Sequence, residues 1–286
     1  MSVCDQSRES ARVFVKMKSL AIFDFDRTIV DDDSDATIIN RLKEKQPPPE
    51  WEAGNHDWTP YMSNVFEHAY SAGMHPDDIL SSIESMRPIK GAEKLLTTLA
   101  AEGWDIIIIS DANTVFINHW LKTHGLADCI TAVFTNGAFW QSGRLYIKPY
   151  MEQTSCSRCP SNMCKKQALA KWLGCRSYDT YAYCGDGRND FCPATFIPAH
   201  GTVLPRYGYP LHSLIEKDKT AAEPQIKAKV SPWVNHHSIL SALFPGKYSP
   251  PKYDTSPSTN GYVSQNGSEP GRQLLSDLTI TSEDAF

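Results

Sequence analysis

Long apolar runs are absent from this 286-residue chain. Its longest purely aliphatic stretch, Ile106 to Ile109, is four residues, against the roughly 20 that a membrane-spanning helix needs, so no membrane span is expected. The first ten residues, MSVCDQSRES, hold no apolar h-region. No secretory signal is therefore expected, and a cytoplasmic protein is the default. An excess of positive charge is also missing: 28 Lys and Arg stand against 33 Asp and Glu, a formal net charge of −5 at pH 7. A nucleic-acid partner held by bulk positive charge is excluded. Cysteine is present but dilute. Eight residues spread over positions 4 to 192 are too few for a disulfide-built miniprotein, and without a signal peptide reduced thiols are expected. None of these features specifies an oligomeric state. What the chain does have is 41% hydrophobic and 21% charged residues, ordinary for a globular protein with a sizeable core. At ~150 residues per domain its length suggests about two.

Composition changes at Gly246. Of the 41 residues from there to Phe286, 19 are Ser, Thr, Pro or Gly, too little apolar surface to offset the entropy of ordering, so 246–286 reads as a disordered tail. Within it, Leu274 to Ile280 is a weak docking candidate and Asn266-Gly267-Ser268 a sequon of little meaning in a protein that is not exported. Residues 1–17 read as a flexible N-terminus. Between them, short apolar runs alternate with helical patterns. Strands are expected at Leu20–Phe23, Asp105–Ile109, Ala132–Phe134, Tyr181–Tyr183 and Thr202–Leu204. Helices are expected at Gly91–Ala101, Met163–Leu173, Leu211–Glu216 and Trp233–Leu243. That rhythm predicts an α/β fold with a parallel sheet and right-handed crossovers. The segment 35–87 breaks it, offering helices at Ala36–Glu44, Tyr61–Ala72 and Pro76–Met86 and no strand, interrupted by Pro47-Pro48-Pro49. It reads as an inserted helical subdomain, with 18–34 and 88–245 forming the core.

The strongest chemical signal is FDFDRTIV, residues 23–30, directly after the first strand. Ligands of open parallel sheets bind at the carboxyl ends of strands. Asp24 and Asp26 would point the same way if this segment were extended. Two carboxylates so close repel unless a cation or proton lies between them, and a hard divalent ion such as Mg²⁺ suits oxygen ligands. A loop aspartate plus a helix cap would explain either residue alone. CGDGRNDF, residues 184–191, brings Asp186 and Asp190 to a second strand end. Taken alone GDGxxD is also a turn pattern; two acidic strand ends in one chain favour a shared metal. Between them, IIISDAN ends the aliphatic strand at Ser110, which can hydrogen-bond a phosphate or cap the next helix. A cation near the start of the helix in NMCKKQALAKWL opposes the helix dipole unless it reaches a bound anion, and either Lys165 or Lys166 fits that role.

These elements in this order, Asp24-x-Asp26-x-Thr28, Ser110, Lys165, then Asp186 and Asp190, resemble the haloacid-dehalogenase-like (HAD) phosphohydrolase superfamily. The wider wording FDFDRTIVDDDSD, ISDANT, CSRCPSNMCK, CGDGRNDFCP and PRYGYPLHSLI resembles its phosphoethanolamine/phosphocholine phosphatase family over about residues 20–245. The resemblance implies a Rossmann-like core with a helical cap inserted after the first motif. It implies a Mg²⁺-dependent phosphatase, with Asp24 as nucleophile forming an aspartyl-phosphate and Asp26 as proton donor and acceptor. Asp24, the carbonyl of Asp26 and Asp186 would hold the metal, Ser110 and Lys165 would bind the phosphoryl group, and Asp190 would orient the site.

The same resemblance maps substrate contacts onto Asp35 and Asp111, acidic groups suited to the cationic head of phosphoethanolamine or phosphocholine. Similar enzymes act on pyridoxal phosphate, thiamine monophosphate or pyrophosphate, which stand as alternatives. The partner is in each case a small phosphorylated metabolite. Asp31-Asp32-Asp33 either adds to the negative field or is a solvated helix start. A reading of another class is a catalytically silent domain that binds phosphorylated ligands, which the pairing of Asp24 with Asp26 disfavours. Finally, Cys156, Cys159 and Cys164 form CxxCxxxxC, which invites zinc or a redox disulfide. No fourth ligand lies at a familiar spacing, although Cys175, Cys184, Cys192 and His200 are candidates through space. Reduced structural thiols are the preferred expectation.

Overall fold

The computed structural model describes residues 17–51, 58–174 and 176–248. Cys4, Cys175, the sequon at Asn266, the Leu274–Ile280 patch and nearly all of the expected terminal segments lie outside them. Among the described residues, seven strands form one sheet: β1 (Ser19–Phe23), β2 (Trp104–Asn113), β3 (Ala132–Gln141), β4 (Arg144–Lys148), β5 (Thr180–Gly185), β6 (Thr202–Pro205) and β7 (Lys229–Val230). Their spatial order is β4-β3-β2-β1-β5-β6-β7. All neighbours are parallel except β3 and β4.

Strand periodicity explains why the central runs are wholly apolar. Successive side chains point to opposite faces. Ala21, Phe23, Ile106 and Ile108 enter one apolar core and Leu20, Ile22, Ile107 and Ile109 the other, the pattern of a parallel strand covered on both sides. The first face is covered by α1 (Ser34–Lys43), α2 (Trp58–Ser71), α3 (Pro76–Glu84), α4 (Ala92–Ala101) and α5 (Thr114–Thr123). The second is covered by α6 (Lys165–Leu173), the short α7 (Phe191–Ala194) and α8 (Pro210–Lys219). The last helix, α9 (His236–Leu243), returns to the first face through Ile239 and Leu240. The helices α1 to α3 follow β1 and precede α4 and β2 in sequence, and they share one apolar core with the sheet. No helix among the described residues is long and apolar enough to cross a membrane.

The α/β fold with its mainly parallel sheet is as expected, with one antiparallel addition: Ala132–Phe134 is only the first part of a ten-residue strand that folds back on β4 through Ser142 and Gly143, both at positive φ (49° and 83°). Thr135, Asn136 and Gly137 interrupt the apolar run there and disguise a strand. The helix α5 starts later than a Ser110 cap would place it; its start is capped by Asn113, whose side chain accepts from the N–H groups of Val115 and Phe116, both at 3.1 Å. Elsewhere boundaries move by a few residues. Thus α6 begins at Lys165 instead of Met163, and α9 begins at His236 after an Asn235 cap instead of at Trp233.

Candidate active site

Strands are laid down outward from β1 in both directions, β2 on one side and β5 on the other. The crevice beyond their carboxyl ends is where such a sheet binds ligands. The registers Phe23–Ile108 and Phe23–Cys184 bring Asp24, Ser110 and Asp186 to that one end, and the Asp24 N–H donates to the Cys184 carbonyl at 3.0 Å.

After Asp24 the chain does not stay extended. The N–H groups of Thr28, Ile29 and Val30 all converge on the Phe25 carbonyl at 2.8–3.2 Å, and Arg27 adopts a positive φ of 54°. The extended segment on which the parallel projection of Asp24 and Asp26 is conditional is therefore replaced by a turn at Asp26. The Asp26 carboxylate instead turns to the start of α1 and accepts from the Ser34 N–H and Oγ, both at 2.9 Å. Burial, with Asp33, Asp35 and Asp24 nearby, pushes its carboxyl well above the usual range. Asp33 is the helix cap, accepting from the Ala36 N–H at 2.9 Å, while Asp31 pairs with Arg206 at 2.5 Å. The aspartate run is thus a helix start tied to a neighbouring loop.

Lys165 is the centre of the site. Only 1% exposed, its Nζ lies 2.6 Å from Asp24 Oδ2 and 2.9 Å from Asp190 Oδ1. Burial alone would strip its proton, but Asp190 and Asp24 overcome that and raise its pKa above the ordinary lysine value. Lys166 lies elsewhere, over the Phe196 ring, so the choice between the two lysines falls to Lys165. Asp190 is fully buried and saturated: besides Lys165 it accepts from Tyr183 OH at 2.6 Å and from the Asp186 and Gly187 N–H groups at 3.0 and 2.9 Å. Gly185 makes that packing possible, because a Cβ there would come within 2.5 Å of the Asp190 Cγ and Oδ2 atoms. Ser110 is buried in β2, ahead of a register shift that runs to Asn113. Since Asn113 caps α5, the helix-cap alternative for Ser110 is overturned; its Oγ accepts only a 3.3 Å contact from the Ala112 N–H.

Asp24, Asp186 and Asp190 offer oxygens that all lie within 4.8 Å of one another, and the donor set can be tested against a cation. Three carboxylates face one buried ammonium, an excess of two negative charges when all are ionised (3 − 1 = 2). One hard divalent ion carries that charge and prefers oxygen. Burial raises Asp24 to about 7, despite Lys165, and Asp186 well above the usual range; a bound cation reverses both. Among the described residues, the one hydrogen bond of the Asp186 carboxylate is from Thr28 Oγ1 at 3.3 Å. The residues fit a divalent ion, with Asp24 and Asp186 as ligands and Asp190 committed to bracing.

Farther out, Asp111 accepts from Asn162 Nδ2 at 3.2 Å and Asn189 Nδ2 at 2.5 Å, and burial raises its pKa. Asp35, 7% exposed, accepts from Trp58 Nε1 at 2.7 Å through Oδ2. Its Oδ1 is buried without a hydrogen-bond partner among the described residues. Burial, then Asp33, raises Asp35 to about 7. Beside it Trp51, Trp58 and Tyr61 pack with ring centroids 5.0–5.2 Å apart. Several supports escaped sequence reasoning. Arg206 Nη1 donates to the Arg27 carbonyl at 2.7 Å, and buried His236 reaches the Thr28 carbonyl through Nε2 at 2.7 Å. Burial lowers His236 to about 4, so a neutral ring donates there. Arg206 lies inside the PRYGYPLHSLI wording; nothing in the sequence pairs His236 with the loop that it supports.

Comparison with known proteins places the chain among phosphatases. Residues 19–245 match the family described as Putative Phosphatase. The pyridoxal phosphate phosphatase of Mus musculus is 37% identical over 238 residues, covering 79% of this chain and 98% of the relative. The phosphoethanolamine/phosphocholine phosphatase of Homo sapiens is 34% identical over 224 residues, covering 75% and 84%. Among solved structures, a HAD-family hydrolase from Salmonella enterica serovar Typhi superposes with a TM-score of 0.52 at 16% identity, covering 80% of this chain and 72% of that one.

Proposed function

Because the chain belongs to the Putative Phosphatase family, and is with it a HAD-type phosphoric monoester hydrolase, we propose that Asp24 is the nucleophile for small phosphomonoesters. The observation that carries this reading is the buried Lys165 ammonium, 2.6 Å from Asp24. It favours the ionised carboxylate against the effect of burial and offers a cation to an incoming phosphoryl group. An Asp24 oxygen attacks phosphorus, the ester P–O bond breaks, and the leaving oxygen takes a proton from Asp26, which its raised pKa keeps available. The aspartyl-phosphate is then opened by water, whose proton passes to Asp26; inorganic phosphate leaves and Asp24 is regenerated. Ser110 and Lys165 bind the transferring oxygens, and Asp190 positions Lys165. A Mg²⁺ ion held by Asp24, Asp186 and the Asp26 carbonyl would neutralise phosphate charge.

The helices within 35–87 serve as the cap, contributing Asp35 and Trp58 to the substrate side. A buried carboxylate oxygen without a donor favours a cationic substrate head, and Asp111 adds to the same field. Phosphoethanolamine or phosphocholine is therefore the first reading. Pyridoxal phosphate is the second, favoured by the identity to the mouse enzyme and by the Trp51, Trp58 and Tyr61 rings, against which a planar heterocycle can stack. The test is phosphate release with Mg²⁺ across phosphoethanolamine, phosphocholine, pyridoxal phosphate, thiamine monophosphate and pyrophosphate, with Asp24→Asn as the control. Turnover of none, or turnover unchanged in the variant, removes the proposal and favours a silent phospho-ligand binder.

A further inference from the structure

Behind the carboxylate cluster lies a second group of titratable side chains that the phosphatase chemistry does not use. The loop before α6 carries Cys156, Cys159 and Cys164, and Cys192 arrives from α7, 28 residues beyond Cys164 in sequence. Their four sulfurs all lie within 4.8 Å of one another. Cys192 Sγ stands 3.7 Å from Cys156 Sγ and 4.0 Å from Cys164 Sγ. Cys164 and Cys192 are buried, while Cys156 and Cys159 are half-buried. The two other described cysteines, Cys129 and Cys184, lie outside the group.

We infer that Cys156, Cys159, Cys164 and Cys192 form a tetrahedral structural zinc site. Four sulfurs each about 2.3 Å from a central ion lie about 3.8 Å from one another, a spacing set by tetrahedral geometry alone. The observed separations bracket that figure, and both are far beyond the ~2.05 Å of a disulfide. The loop is built to hold such a knuckle. Gln153 Nε2 donates to the carbonyls of Cys156, Cys159 and Pro160 at 3.3, 3.1 and 2.8 Å, and its Oε1 accepts from the Cys156 N–H at 2.9 Å. Cys164 stands at the N-cap position of α6, where the helix dipole offsets part of the burial that raises its thiol and would support a metal-bound thiolate. This closes the CxxCxxxxC pattern with a fourth ligand and replaces the preference for unliganded thiols.

The site has a purpose in its position. Cys164 directly precedes Lys165, and Cys192 follows Asp190 by two residues. One ion would therefore clamp together the two chain segments whose side chains meet as the 2.9 Å Lys165–Asp190 pair. It sets the registry of these positioning groups without touching substrate.

The experiment is metal analysis of the full chain purified under reducing conditions and reloaded with zinc alone. About one zinc per chain is expected, retained against EDTA and released by a mercurial as four thiols titrate. Cobalt in its place gives the intense visible and near-ultraviolet bands of tetrahedral thiolate, which the oxygen-ligated phosphatase metal does not produce. Cys159→Ser abolishes those bands and the tightly held zinc. Should that variant fail to fold, the cobalt spectrum of the unaltered chain decides alone. Less than about 0.1 zinc per chain after reloading, with no thiolate bands, overturns the inference. So do disulfides among these four cysteines, mapped by alkylation and mass spectrometry. Because neither readout is phosphate release, failure here leaves the phosphatase proposal standing, and the reverse.

Discussion

Lys165 Nζ and Asp24 Oδ2 lie 2.6 Å apart in a site where Lys165 is the buried cation among three carboxylates. Removing the ammonium while keeping its apolar stem, in Lys165→Met, leaves Asp24 and Asp190 unpaired. Breaking such a pair costs about 3 kcal/mol or more, roughly 6–12 °C in Tm for a domain of this size. Phosphate release should fall by about a thousandfold or more, consistent with the loss of a charged transition-state contact. A Lys165→Met protein with wild-type Tm in EDTA would contradict the pairing.

Asp26 is separable from Asp24 by leaving group. In Asp26→Asn, the Ser34 N–H keeps the amide oxygen as acceptor and the Ser34 Oγ can accept from the new Nδ2, so the fold should hold. Turnover of alkyl phosphomonoesters should drop about 10²–10⁴-fold. An activated aryl phosphate, whose leaving oxygen needs no proton, should lose much less. Equal losses for both substrates would deny Asp26 the role of acid.

Metal removal should act through Asp186. EDTA should abolish phosphate release, and Mg²⁺ should restore it and raise Tm by mass action on the folded state. Asp186→Asn should demand at least about tenfold more Mg²⁺ for half-activity. Magnesium titrations of activity and of Tm read this directly, and an unshifted midpoint would assign the ion elsewhere.

The burial of Asp35 gives a pH signature. Its folded pKa is raised from 3.8 to about 7. Between those values the unfolded chain releases a proton that the folded chain retains, so stability falls as pH rises through that window and stays lower above it. Asp35→Asn escapes the loss while keeping an acceptor for Trp58 Nε1. It should be more stable than the wild type at pH 8, by at most about 4 kcal/mol, with the advantage vanishing near pH 4. Tm measured against pH in EDTA checks the sign. The same substitution should raise KM for phosphocholine more than for an uncharged phosphomonoester.

Sequence reasoning reached the parts of the molecule where one physical demand rules. Ile106 to Ile109 reads as a strand covered on both faces and is one, and Asp24 and Asp186 each follow an apolar run and directly follow β1 and β5. Where two demands compete, the sequence misleads. The segment 135–141 carries polar residues because Asn136 must donate to the Asp111 and Ala112 carbonyls at 2.6 and 3.0 Å, so its strand character is hidden. Asp26 is held by two Ser34 donors, a contact eight residues distant that local periodicity cannot reveal. Partners brought from far along the chain are invisible for the same reason. His236 meets Thr28 across 208 residues, and Cys192 joins the loop cysteines only after α6 and β5 have been laid down.

The helices between β1 and β2 have no core of their own. Phe66 of α2 packs edge-on against Phe116 of α5 at 5.8 Å, and Trp120 of α5 donates to the Met86 carbonyl at 2.9 Å. Swinging them aside would expose aromatic surface to water at a cost comparable to unfolding part of the protein. The described helices of that layer are therefore built into the same structure as the sheet, and heating should melt both layers in a single cooperative step.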